Sequence, residues 1–95
     1  MLETRIEVDK RVVTEDLSGD LTLYVMDVDH FIITSKTIPI LEEESLLKRR
    51  VKAEVQGDKY AFILPPKVYR FYHLDENDYT IMVSDKDPNI LIVTV

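Results

Sequence analysis

Ninety-five residues, 45% of them hydrophobic and 32% charged, with no cysteine, exclude a disulfide scaffold, a thiolate nucleophile and a cysteine-bound metal. No apolar run approaches the ~20 residues needed to cross a bilayer and no signal-type apolar stretch follows Met1, so one cytoplasmic domain over residues 1–95, with no membrane segment, is expected. The net charge of −6 speaks against nucleic acid only until its distribution is read: residues 1–47 hold four basic and eleven acidic side chains, residues 48–95 eight and seven.

In chain order, Thr4, Ile6 and Val8 alternate with Arg5 and Glu7, the period of a strand. Asp9-Lys10-Arg11 turns it, Val12-Val13 begins a second short strand, and residues 14–20 are turn chemistry, with Gly19 able to take a positive φ. Residues 21–28 form the next strand. Leu21, Leu23 and Val25 share one face and Tyr24, Met26 and Val28 the other, so both faces are expected to be buried, as in a closed barrel or a strand between two layers. Residues 27–30 turn the hairpin and 31–35 return. Pro39 then stops the strand. Glu42-Glu43-Glu44 ahead of Lys48-Arg49-Arg50 complements a helix dipole, so residues 36–50 read as a short connector helix or a charged loop.

Val51, Ala53 and Val55 alternate with Lys52 and Glu54 in another strand, Gln56-Gly57-Asp58-Lys59 turns it, and residues 60–64 return. Pro66 suits the first position of a helix, and residues 67–73 make about two turns. Val68, Phe71 and Tyr72 then face inward, with Lys67 and Arg70 toward solvent. Residues 79–83 and 90–95 form a last hairpin around Asp87-Pro88-Asn89. Two glycines, one glutamine and no cysteine suit a thermophile.

Residues 20–29 align with 78–87, and after a two-residue insertion 31–34 align with 91–94. Seven positions are identical: Asp20/Asp78, Thr22/Thr80, Val25/Val83, Asp27/Asp85, Asp29/Asp87, Ile32/Ile92 and Thr34/Thr94. A hairpin written twice implies two half-modules that complete one core, with units at about 4–37 (trimmed) and 49–95.

The order strand, glycine turn, strand, Leu64-Pro65, short helix with Arg70, Leu74, Asn77-Asp78, hairpin resembles the AbrB/MazE-like (SpoVT–AbrB) swapped-hairpin domain. Residues 4–20 resemble the same pattern without its proline-led helix, keeping Ser18-Gly19-Asp20 at the Gly-Asp step. The resemblance implies a mainly β fold, a swapped-hairpin barrel with a short helix, holding both halves in one chain or completed as a homodimer. It also implies a regulator that binds double-stranded DNA through Arg50, Lys52, Lys59, Lys67 and Arg70, with Arg49 beside them. Three positions depart from the family pattern. Asp58 follows the turn glycine where arginine is usual, Tyr69 replaces a second helix arginine, and His73 replaces the helix-ending glycine.

Within residues 48–73 seven cations face only Glu54 and Asp58, a local field that a phosphate backbone would answer by releasing counterions. The acidic first half supports a different reading, a protein-interaction module (antitoxin-like or adaptor) with a basic partner; exposed hairpin edges support an assembly role. Tyr69, Phe71 and Tyr72 read as a core plug rather than base-stacking residues. Asp27/Asp29 and Asp85/Asp87 have the oxygen ligands for Ca²⁺ or Mg²⁺, but turn chemistry explains them; His30 and His73 stand in no zinc motif. No phosphate loop, nucleophile elbow or Cys/His pair occurs, so neither enzyme activity nor a cofactor is expected.

Overall fold

Strict apolar–polar alternation over short stretches, cut by turn residues, leaves this chain little choice but antiparallel strands. The computed structural model describes residues 4–13 and 19–95. Among them the strands are β1 Arg5–Asp9, β2 Gly19–Val25, β3 His30–Thr34, β4 Leu47–Gln56, β5 Lys59–Ile63, β6 Thr80–Val83 and β7 Ile90–Thr94. The helices are α1 Pro39–Glu44 and α2 Pro66–Phe71. The strands form one antiparallel sheet, ordered β1-β5-β4-β2-β3-β7-β6, curled into a nearly closed barrel. The fold is mainly β, as expected. Gly57 turns β4 into β5 at φ 63°, a conformation a Cβ would strain.

Inward positions fill the barrel: Ile6 and Val8, Leu21, Leu23 and Val25, Phe31 and Ile33, Val51 and Ala53, Tyr60 and Phe62, Leu91 and Val93. The strand next to α1 is buried on its outer face as well. Tyr24 is fully covered there, its hydroxyl donating to Glu42 Oε1 at 3.1 Å while Lys48 Nζ donates to the same oxygen at 2.6 Å.

The matched hairpins share one register. Thr22 pairs with Thr34 as Thr80 pairs with Thr94, and Tyr24 with Ile32 as Met82 with Ile92. They then pair with each other through β3 and β7, Phe31 opposite Val93, Ile33 opposite Leu91, and Ile32 opposite Ile92 at the centre. Ile32 and Ile92 are equivalent in the repeat, so a local pseudo-two-fold axis passes between them. The turns obey it too: Met26 N–H donates to His30 O and Ser84 N–H to Ile90 O. Each acidic loop also meets the end of the other copy's returning strand. Val95 N–H donates to Asp29 O at 2.8 Å, and Lys36 Nζ reaches Asp87 Oδ2 at 3.1 Å.

Several local expectations need correction. Val12 lies in the turn after β1 and Val13 packs into the core outside any strand; the expected turn at 14–18 lies outside the described residues. The second strand ends at Val25 because residues 27–29 bend away, leaving Val28 77% exposed. The connector helix exists but stops at Glu44, with no basic residue in its last turn. Lys48, Arg49 and Arg50 belong to β4 instead, where pairing of residues 47–53 with β2 extends the strand.

Candidate nucleic-acid interface

A tight turn positions α2. Pro65 and Pro66 end β5 and fix the φ angles that start the helix, and Tyr69 N–H donates to Pro65 O. Val68 and Tyr72 plug one end of the barrel. The Tyr72 ring lies 4.8 Å from that of Phe31, and its hydroxyl reaches both Asp27 O and His30 O at 2.9 Å. Burial pushes the Tyr72 phenol well above its usual range, so it remains a donor. Phe71, expected inside, is 50% exposed because α2 is only six residues long and Val68 with Tyr72 already covers the opening. Lys67 and Arg70 face solvent as expected.

Pleating divides the cations of β4. Arg50 and Lys52 point outward with Glu54, whereas Arg49 shares the face of Leu47 and Val51 but lies beyond the core, opposite α2. Arg49, Lys67 and Arg70 line a cleft of about 370 Å³ between the start of β4 and the helix. Arg50 and Lys52 line an adjoining open hollow of about 620 Å³ with Asp20 and Glu54. Pro65 belongs to both hollows, so five of the six expected DNA contacts surround it. Lys59 stands apart. It pairs with Gln56 and Asp9 at the far end of the β4–β5 hairpin, six residues or roughly 20 Å along the strand from Arg50.

Among the described residues four cations are ion-paired; Lys10, over the Tyr60 ring, and Lys86 are not, and neither are the six expected contacts. Arg5, Arg11, Lys36 and Lys48 are bound to Glu7, Asp9, Asp87 and Glu42. Among the described residues Arg49, Arg50, Lys52, Lys59, Lys67 and Arg70 form no ion pair; Arg49 donates only to the Lys48 carbonyl, at 2.7 Å. Asp20 is the cross-strand neighbour of Lys52, so the outer hollow carries mixed charge, whereas among the described residues the α2 cleft carries only positive charge.

The acidic turns are engaged internally. His30 Nδ1 lies 3.1 Å from Asp27 Oδ1 and 2.7 Å from Asp29 Oδ1. The three residues bring ligand atoms within 4.8 Å of one another, close enough for a divalent cation, but the imidazole already occupies the carboxylates. The Asp29 N–H bonded to Asp27 Oδ1 holds that carboxyl at about 2, and its hydrogen bond to Asp27 raises the His30 pKa. The matched loop lacks such a cluster: Asp87 accepts from Asn89 and Lys36, which depresses its pKa.

Missing from the sequence reading was an apolar slot beside the cleft, lined by Val25, Leu46, Leu47, Lys67, Val68 and Phe71. Its only sequence signal is Leu46-Leu47, two successive apolar residues where strand pleating can bury one at most. No protein-family description, curated protein or solved structure matches the chain.

Proposed function

We propose that this protein is a non-enzymatic DNA-binding regulator of the AbrB-like type, gripping duplex phosphates with the cations around Pro65. The observation that carries the reading is that Arg49, Arg50, Lys52, Lys67 and Arg70 line two hollows that meet at Pro65 and, among the described residues, form no ion pair. Exposed cations free of ion pairs can exchange water and counterions for phosphate at little cost. The symmetric pairing of the two hairpins supports the swapped-hairpin part of the reading, with both halves supplied by one chain.

Fluorescence anisotropy on a duplex over a salt series tests this. Four to five phosphate contacts give a log–log slope of about −4, and Arg50→Gln or Arg70→Gln should each make it shallower by about 1. Lys59→Gln, at the far turn, should leave the slope unchanged. No binding at about 50 mM salt would overturn the reading.

A second reading, a protein-interaction module using the acidic half, is favoured by α1. No residue of that helix is buried, and Ile40, Glu43 and Glu44 all face solvent. A tight complex with a basic protein, unaffected by Arg50→Gln and Arg70→Gln, would support it instead.

A further inference from the structure

The slot between β4 and α2 does not suit a phosphate backbone. Its lining is apolar apart from Lys67, and Leu46 and Phe71 stand 68% and 50% exposed on its sides. Bulky apolar side chains left in water forgo ~25 cal/mol for each Å² they could bury, so two of them flanking one slot favour an apolar occupant. At about 260 Å³ the slot is smaller than sites that enclose small ligands, and its size suits one or two side chains. The charges that line it and the neighbouring cleft have one sign. The neighbouring cleft shares Leu47, Lys67 and Val68 with the slot and adds Arg49 and Arg70; among the described residues no carboxylate lines either hollow.

We propose that the slot docks an acidic segment of another protein, one bulky apolar side chain entering between Leu46 and Phe71 while its carboxylates pair with Lys67, Arg49 and Arg70. Charge complementarity selects the occupant: an apolar anchor on a basic or neutral segment would leave three cations unanswered. A second copy of this chain is the rival occupant: its helix α1 commits Glu42 to Tyr24 and Lys48 but leaves Ile40, Glu43 and Glu44 in solvent, and the oligomeric state separates the two. Because Lys67, Arg49 and Arg70 also belong to the surface assigned to DNA, the segment and a duplex compete; that corollary alone rests on the DNA reading.

The probe is a twelve-residue peptide of glutamate and serine with one central phenylalanine, titrated into the ¹⁵N-labelled full chain and followed by NMR. Shifts should be confined to Leu46, Leu47, Lys67, Val68, Phe71 and their neighbours. Replacing the phenylalanine by alanine, or making Leu46→Ser in the protein, should each weaken binding about tenfold or more. Leu46 is exposed, so that variant should keep the parent spectrum elsewhere. Replacing the glutamates by lysine should abolish binding. Equal binding of the alanine peptide, shifts scattered over the barrel, or no shift at about 1 mM peptide would overturn the proposal. So would a sedimentation dimer, without peptide, that Leu46→Ser dissolves. Displacement of a bound duplex by the peptide tests the corollary; a peptide that binds a protein with no affinity for duplex leaves the docking intact and removes the DNA reading.

Discussion

His73 ends α2 with a φ of 53°, the left-handed region that glycine occupies at least cost. Its N–H donates to Arg70 O and that of Leu74 to Tyr69 O, the hydrogen-bond pair of a Schellman cap. The cap is therefore formed at the expense of Cβ strain, about 1 kcal/mol at such a position. His73→Gly should raise stability by about 0.5–1 kcal/mol, or a few degrees in Tm by calorimetry, less whatever the freer unfolded chain returns. A lower Tm would mean that the imidazole contributes more than the strain costs. The pattern of a helix-ending position was legible at 73, but strain at a histidine is a property of the backbone and leaves no mark in composition. His30 supports a second expectation. Its raised pKa means that its contribution is fully present below the unfolded value of about 6.5 and is lost as pH rises through the folded value. Asp27 behaves oppositely, its contribution being present above about 4 and lost as pH falls through about 2. The loop is thus best held between about pH 4 and 6.5. In urea melts the advantage of the parent over His30→Gln should shrink as pH rises from about 6.5 through the folded value; curves that stay parallel throughout that rise would contradict the assignment.

At the scale of elements, helix α2 shows why periodicity can name a face without settling how wide it is. The i, i+3, i+4 spacing of Val68, Phe71 and Tyr72 permits all three to point inward. The opening they cover is limited by Phe31 and by the Asp27–His30 loop, which are distant in sequence, and it admits only Val68 and Tyr72. Tyr72→Ala should therefore cost about 3–5 kcal/mol in chemical denaturation, whereas Phe71→Ala should cost less than about 1. Equal losses would place Phe71 in the core. The same reasoning covers β4. Its alternation was readable from Val51 onward, because there apolar and charged residues take turns. Upstream, Lys48-Arg49-Arg50 has no apolar period and resembles a helix end as much as a strand; pairing with β2, through Leu21–Val51 and Tyr24–Lys48, decides it. That outcome also shaped the candidate site, since pleating sends Arg49 and Arg50 to opposite faces of one strand.

For the whole molecule, the repeat made the two matched hairpins legible, and their symmetric pairing follows from equal registers. The seam of the barrel was not legible. Among the described residues the first half supplies three strands and the second four, so β1 has no hairpin mate and the ring cannot close symmetrically. Among the described residues both β1 and β6 are paired on one side only, β1 with β5 and β6 with β7. What spans the seam is a side chain: the Glu7 N–H donates to the Tyr79 hydroxyl at 3.0 Å, while the Tyr79 ring packs against the core. Strands held on one edge open at lower free energy than those held on two, so amide exchange should be fastest in β1 and β6 and slowest in β2, β3 and β4. Tyr79→Phe keeps the ring and removes only the acceptor. It should cost about 1 kcal/mol and accelerate exchange of the Glu7 amide while leaving Ile33 and Leu91, across the paired centre, near their original rates. Uniform acceleration through all seven strands would instead show that the seam opens only when the whole barrel does, and that one hydroxyl makes the sheet cooperative as a closed ring.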